Sequence, residues 1–203
     1  MKSNKGILIV LSGPSGAGKD TICKAFLEKH KEDVFLSVSA TTRKPREGEV
    51  EGIHYYFLPE EEFKNKIAKG DFLEWACVHG NYYGTPKSAV EEMLENGKNV
   101  ILEIDVQGAV KIKENCKDGV FIFILPPSME ELENRLTERG TETPEEILRR
   151  FNTAYEEIKY IDKYNYGVVN DVVEDAVAKI DKILEAEKCR VTRIKDSIIK
   201  EAK

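Results

Sequence analysis

The stretch Gly13-Pro14-Ser15-Gly16-Ala17-Gly18-Lys19-Asp20-Thr21 combines spaced glycines with a lysine and an acid. Glycines at this spacing let successive backbone N–H groups turn inward, and a ring of such donors holds phosphate oxygens. Lys19 adds a charge for β- and γ-phosphates, and a helix starting beside it contributes the positive end of its dipole. Gly13, Gly18 and Lys19 satisfy the fixed positions of GxxxxGK[ST] except the last, where Asp20 replaces the hydroxyl expected for Mg²⁺. Thr21 is no simple substitute, because one residue along a helix turns the side chain by about 100°. The chemistry indicated is binding of a nucleoside triphosphate. The competing reading is a glycine-rich turn that binds nothing.

Context favours the first. The apolar run Ile7 to Leu11 lies directly before the loop, and Ile22, Ala25 and Phe26 follow at helical spacing. Strand, loop, lysine and helix therefore come in the order the motif requires.

A second constellation lies downstream. Ser37-Val38-Ser39-Ala40-Thr41-Thr42-Arg43-Lys44-Pro45-Arg46 sets two guanidinium groups close together, with Pro45 stiffening the turn between them. Arginine suits phosphate through its paired N–H donors.

The elements that must position these groups follow from pattern. Buried-type strand signals recur at Ile7 to Leu11, Val100 to Ile104, Val120 to Leu125 and Tyr166 to Val169, separated by helix-length segments. That alternation predicts a parallel sheet covered by helices. Residues 37–84 break it, with short strand-like pieces around Ser37 to Ala40, Tyr55 to Phe57, Phe72 to Val78 and Tyr82 to Tyr83. A small β-rich lobe inserted in the core is expected there. Residues 126–158 are rich in Glu and Arg at helical spacing, with a Gly140-Thr141 break, as in a hinged helical flap. Ser128 with Glu131 reads as a capping box, Pro144 suits a first helical turn, and Thr85-Pro86 opens a segment ending at Gly97. Val172, Val173, Val177, Ile180 and Leu184 mark an amphipathic helix after Asn170.

Bulk properties set limits. A chain of 203 residues makes one domain with a full core, and 41% hydrophobic with 33% charged residues is a soluble globular balance. The net charge of −6 argues against a general nucleic-acid or membrane binder, so any anion site must be local. Cys23, Cys77, Cys116 and Cys189 are scattered and form no ligand-spaced cluster with His30, His54 and His79, which argues against structural zinc. Free thiols in a reducing cytoplasm, with no membrane span and no secretory segment, are the expectation.

The stretches GPSGAGKDT, SVSATTRKPREGEVEGIHYYF, FLEWACVHGNYYGTP, ILEIDVQG, PPSMEELENRLTERGTET and VVN together resemble the guanylate kinase family. Its members are nucleoside monophosphate kinases that move a phosphoryl group from ATP to GMP. The resemblance spans residues 6 to about 185. It implies an α/β fold: a three-layer P-loop core with a parallel sheet, an inserted small β-rich GMP-binding lobe and a helical lid. The expected division of the single domain is core 6–36, 86–125 and 159–188, lobe 37–85, lid 126–158 and a helical tail 189–203.

The resemblance also implies roles. Arg43 and Arg46 with Tyr55 and Tyr83 correspond to a clamp on the GMP phosphate, and Ser39 to a contact on the GMP side. Glu74 matches the family's guanine-reading carboxylate. A carboxylate only accepts, so it pairs with the N1–H and exocyclic amine of guanine and repels the N1 lone pair of adenine. Thr85 matches a donor to the base and is equally a good helix N-cap before Pro86. Glu103 and Asp105 end a strand facing the phosphate loop, and Asp105 is the choice for a GMP contact or, with Asp20, for the water shell of Mg²⁺. Arg139 and Arg150 are expected on the transferring phosphoryl group, together with Lys19 and Arg43, and Arg135 on ATP. Arg149 suits a surface pair with a neighbouring Glu. Asn170 matches an adenine contact, with a turn role as its competitor. ATP and GMP are the expected substrates and Mg²⁺ the metal, with no nucleic-acid or membrane partner. Two rivals stay open at this point, a phosphopeptide-binding scaffold and a kinase for another monophosphate. Intact loop glycines and Lys19 speak against the former, Glu74 against the latter.

Overall fold

The computed structural model describes residues 5–78, 80–137 and 143–195. β1 (Leu8–Ser12) leads through the glycine-rich loop into α1 (Lys19–Lys29), and β2 (Val34–Leu36) follows. Next come β3 (Ala40–Thr41), β4 (Tyr56–Phe57), α2 (Glu60–Lys69), β5 (Phe72–Val78) and β6 (Asn81–Pro86). The chain continues with α3 (Lys87–Glu95), β7 (Asn99–Glu103), α4 (Val106–Asn115) and β8 (Val120–Leu125). It then forms α5 (Met129–Thr137), α6 (Pro144–Ile158), a 3-10 turn at Ile161–Lys163, β9 (Tyr166–Val169) and α7 (Val173–Lys188).

Among the described residues a five-stranded parallel sheet has the order β2-β7-β1-β8-β9. The central strand β1 is buried on both faces and alternates between two cores. Ile7, Ile9 and Leu11 pack with Ile22 and Phe26 of α1 and with Val177 and Ile180 of α7. Leu8 and Val10 pack with Val90 and Leu94 of α3 and with Ala109 and Ile112 of α4. Helices on both faces of one sheet give the expected three layers. Truncating a fully buried side chain such as Phe26 to Ala would cost about 3–5 kcal/mol.

The order also fixes where a ligand can sit. The chain leaves β1 through α1 to reach β2 on the far side of β7, while β8 flanks β1 on the other side. A crevice opens at such a reversal, at the carboxyl ends of the strands. The phosphate loop, Glu103 and Asp105 are all at that end.

A second, four-stranded sheet has the order β4-β3-β6-β5. The expected lobe is thus a real second sheet, but it also carries α2, whose Phe63 stacks on Phe72 with ring centroids 4.5 Å apart. The pattern reading passed over α2 because one buried side chain in Glu60–Lys69 leaves almost no apolar stripe. It also passed over β2, an edge strand of three residues with two exposed. Val172, assigned to the apolar face of α7, stands before the helix and is 49% exposed.

Caps differ from expectation in an instructive way. Glu131 N donates to Ser128 Oγ at 3.0 Å, but the Glu131 carboxylate turns to Arg135, so the box is only half formed. The complete capping box is Thr143 with Glu146, directly around Pro144 at the start of α6. Leu132, Leu136 and Ala154 bury a small separate core between α5 and α6. The Gly140-Thr141 break lies outside the described residues, and the tail is described as far as Lys195. Among the described residues no helix is long and apolar enough to cross a membrane.

Candidate active site

The phosphate loop takes its shape from what surrounds it. Gly18 has φ +83°, and a Cβ there would strike the Asn170 side-chain amide. Gly13 has φ +146°, and its Cβ would meet the carbonyl oxygen of Ile124 on β8. Both positions combine left-handed backbone with close approach, which only glycine tolerates. Gly18 caps α1 without any side-chain bond, leaving the first N–H groups of the helix open toward the loop.

The charged groups of this region rest on the loop itself. Lys19 Nζ donates to Gly13 O at 2.8 Å and Pro14 O at 3.2 Å. Burial pulls its pKa down, opposed by the nearby Glu157, Glu103, Asp20 and Asp105. Arg150 Nη2 donates to Ser15 Oγ at 2.9 Å, and Ser15 N donates to Glu157 Oε2 at 3.1 Å. Arg150 and Glu157 are two turns apart on α6, so one face of that helix supplies both contacts. Glu157 is raised by burial, with the Ser15 N–H and Lys19 pulling it back. A carboxylate on a loop N–H is the contact a phosphate oxygen would make.

Asn170 and Arg135 support the loop from the other side. Asn170 is 5% exposed and gives its Nδ2 proton to Ala17 O at 2.8 Å, while its Oδ1 has no hydrogen-bond partner. Arg135 donates to Glu131 Oε1 at 2.8 Å and to Asn170 O at 3.2 Å. Asn170 is therefore a brace under the loop, not a simple turn residue. Of the lid arginines expected at the phosphates, Arg139 lies outside the described residues.

A cleft of about 270 Å³ beside the loop is lined by Gly13, Ser15, Lys19, Glu103, Ile104, Asp105 and Glu157. Glu103, on the wall of this cleft, and Asp20 at the start of α1 are neighbouring carboxyl groups. Glu103 is pushed up to about 8 by burial and by its bond to Asp20, and that same bond holds Asp20 down. Two neighbouring carboxyl groups are oxygen donors of the kind a hard dication takes. The Cys23 thiol beside Glu103 is raised mainly by burial, which removes it as a nucleophile. Asp105 caps α4, accepting from Gly108 N at 2.8 Å with Oδ1.

The second cluster of candidate residues lies on and beside the smaller sheet. Thr41 Oγ1 donates to Tyr82 O and Tyr82 N donates to Thr42 Oγ1, each at 2.9 Å, which pins the end of β3 to β6. Arg43 follows directly. Its guanidinium grips Glu49 in a fork, at 3.0 Å and 2.8 Å, and lies 5.5 Å over the Tyr55 ring. Arg43 also bonds Tyr83, and Tyr83 meets Tyr55 edge-on at 6.1 Å. Arg43, Tyr55 and Tyr83 are therefore together. Arg46 has an exposed side chain and joins them through its backbone, donating to Glu49 Oε2 at 2.7 Å. Ser39 lies next to β3, and its carbonyl accepts from Tyr56 N at 2.9 Å.

Glu74 sits opposite Thr85 where β5 pairs with β6. The register slips between Phe72 and Glu74, so Leu73 packs on the main core while Glu74 faces Thr85. Thr85 is fully buried, and its hydroxyl donates to Glu74 Oε1 at 2.9 Å. The helix cap is Pro86, without a side-chain bond, so Thr85 is a carboxylate partner and not the N-cap considered from sequence. Burial pushes Glu74 up to about 7, with Thr85 and Lys111 opposing and Asp105 adding to the rise. A carboxyl group half-buried on a strand, carrying one hydroxyl partner, has acceptor capacity left for a ligand.

Two residues in these sites carry no sequence signal of their own. Glu49 orders Arg43, and Glu157 reaches the loop from 142 residues away, yet each is one acid among many.

Comparison with known proteins agrees with this layout. The sequence model of the guanylate kinase family matches residues 5–187. A guanylate kinase of Clostridium perfringens (strain SM101) is 68% identical over 198 residues, covering 98% of this chain and 91% of the relative. One from Clostridioides difficile is 55% identical, covering 98% and 97%. The crystal structure of guanylate kinase from Anaplasma phagocytophilum superposes with a TM-score of 0.76 at 37% identity, covering 94% and 90%. Identity of that extent reaches through the phosphate loop, both sheets and the helices between them, and the chain belongs to the guanylate kinase family.

Proposed function

We propose that this chain catalyses the ATP-dependent phosphorylation of GMP, giving ADP and GDP, as a soluble enzyme of the cytoplasm. The observation that carries the choice of acceptor is Glu74, held by Thr85 where β5 pairs with β6, with Arg43, Tyr55 and Tyr83 gathered at the same sheet. Glu74 accepts from the guanine N1–H and 2-amine. Thr85, Ser39 and Asp105 complete the nucleoside contacts, and Arg43, Arg46, Tyr55 and Tyr83 bind the phosphate dianion.

ATP enters at the loop, where Gly13, Pro14, Ser15, Gly16, Ala17, Gly18, Lys19, Asp20 and Thr21 surround its phosphates. Lys19 leaves Gly13 O and Pro14 O for the β- and γ-phosphates, and Arg150 moves from Ser15 to the phosphoryl group together with Arg139. Arg135 and the free Oδ1 of Asn170 meet the adenosine side. The acceptor oxygen of GMP is already anionic, so transfer is direct and in line, without a general base or covalent intermediate. Residues 126–158 act as the lid and 37–85 as the GMP lobe, and their approach excludes water that would otherwise hydrolyse ATP.

Mg²⁺ fits the oxygen donors present. Among the described residues no three His, Cys, Asp or Glu side chains form a metal-holding group, so the triphosphate and water supply most ligands. Asp20 and Asp105, with Glu103 beside Asp20, would hold its water shell, and the ion would supply positive charge to offset that of the triphosphate. The test is ADP release against a panel of GMP, dGMP, AMP, CMP and UMP. Turnover with a guanine monophosphate alone is expected, and release with no preference for guanine would overturn the assignment.

A further inference from the structure

Gly108, in the first turn of α4, is a glycine that its own backbone does not require. It is buried within a helix and has no positive φ, and its N–H bond to Asp105 Oδ1 is one that any residue but proline makes. Glycine is a poor helix former, so its presence inside a helix calls for a contact that excludes a Cβ. That contact is Glu74. A Cβ on Gly108 would lie 3.1 Å from Glu74 Oε2 and 3.3 Å from its Cδ, whereas the third neighbour, Ile104 Cδ1, is at an ordinary 3.6 Å.

The carboxylate has little freedom to give way. Its other oxygen, Oε1, is tied to the buried Thr85 hydroxyl at 2.9 Å, so turning Oε2 away from α4 also strains that bond. The gap left by the missing methyl does two things at once. It lets Oε2 stand against the N-terminal turn of α4, where the helix dipole favours negative charge, and with Oε1 on Thr85 it fixes the plane of the carboxylate.

We propose that Gly108 is a specificity-determining positioning residue for the acceptor base. Its bare Cα sets the orientation in which Glu74 offers one oxygen to the guanine N1–H and the other to the 2-amine. This rests on Glu74 being the reader of guanine. Hypoxanthine keeps the N1–H and lacks the 2-amine, so GMP against IMP isolates the second oxygen. A merely structural disturbance lowers both substrates together.

The experiment measures kcat/KM for GMP and IMP in the wild type, Gly108→Ala and Glu74→Gln. Gly108→Ala is expected to reduce the GMP-to-IMP ratio about 5–10-fold, with the KM for ATP within about twofold of the wild type. An unchanged ratio in Gly108→Ala beside a collapsed ratio in Glu74→Gln overturns the role of Gly108 and leaves the base reader intact. An unchanged ratio in Glu74→Gln overturns the reader itself, and the inference with it. Thermal melts of a double-mutant cycle give a second reading if Gly108→Ala does not yield folded enzyme. The substitution is expected to lower Tm in the presence of Glu74 and to leave or raise it in a Glu74→Ala background, where the obstructing carboxylate is gone and alanine is the better helix former. Equal losses in both backgrounds overturn the proposal.

Discussion

The two regions proposed to recognise substrate are built by opposite means. At the phosphate loop the donors are backbone N–H groups, set by left-handed glycines and close approach of Ile124 and Asn170, and they exist before any ligand arrives. In the lobe the polar groups are side chains, and each is held by another side chain: the donor Arg43 by Glu49, the acceptor Glu74 by Thr85. Backbone donors are cheap to order because the chain already fixes them, whereas long side chains lose rotamer freedom unless a partner has restrained them. On the proposed assignment the loop would give general affinity for phosphate. The lobe would give discrimination, because side-chain orientation depends on several contacts and tolerates few bases.

The difference extends to what occupies each region without nucleotide. Glu157 and Lys19 both rest on loop atoms that a triphosphate would engage or displace. Arg43 is instead paired with a carboxylate, and Glu49 is held down to about 2 by the Arg43 fork and the Arg46 N–H.

The largest effect expected is from Lys19→Ala, which should lower turnover by about 10³-fold or more while calorimetry shows GMP affinity within about twofold. Parallel loss of GMP binding would mean that the two regions are not separate. Next is pH. Glu74 lies near 7 through burial, with Thr85, Lys111 and Asp105 as its facing groups, and only the ionised form accepts from both guanine donors. Going down in pH protonates it, so kcat/KM for GMP should be flat above about pH 8 and fall toward tenfold per unit below about 7. The phosphate of GMP adds its own limb only near about pH 6. A profile flat down to pH 6 would remove Glu74 from base recognition.

Glu49→Gln sharpens the claim that lobe side chains are presented by partners. It keeps the size of Glu49 and removes its charge, and the KM for GMP should rise about 5–10-fold with the KM for ATP unchanged. A fall in that KM would make Glu49 a competitor of the phosphate. The smallest effect is expected at Glu157→Gln. Removing a negative charge from the Ser15 N–H should lower the KM for ATP by about 2–3-fold and leave GMP alone. A rise would show that Glu157 orders the loop for ATP.

What sequence made legible followed how contiguous each feature is. Residues 13–21 are one run, and the parallel strands before and after them are apolar runs that have no other use in a water-soluble chain. The observed β8 and β9 coincide with the expected spans, and β1 and β7 differ by a residue at each end. The element α2 was hidden because its stability comes from a single aromatic stack with β5, which leaves no periodic trace.

Family resemblance supplied roles for Arg43, Glu74 and Thr85, but not the geometry that gives them those roles. Sequence left Thr85 divided between a cap and a base contact, and the pairing of β5 with β6 removed the cap by placing the hydroxyl on Glu74. Sequence also left Asp20 as a mismatch in the loop, and the fold set it beside the buried Glu103, which holds the Asp20 carboxyl down. By itself, then, the sequence determined the phosphate loop, the parallel core and the identity of the charged groups, since backbone conformation and apolar burial depend on neighbours in the chain. Tertiary structure alone decided which acid faces which donor, including Glu157 on the loop and Gly108 under Glu74. Those contacts join residues distant in sequence, and no local pattern encodes a distance between them.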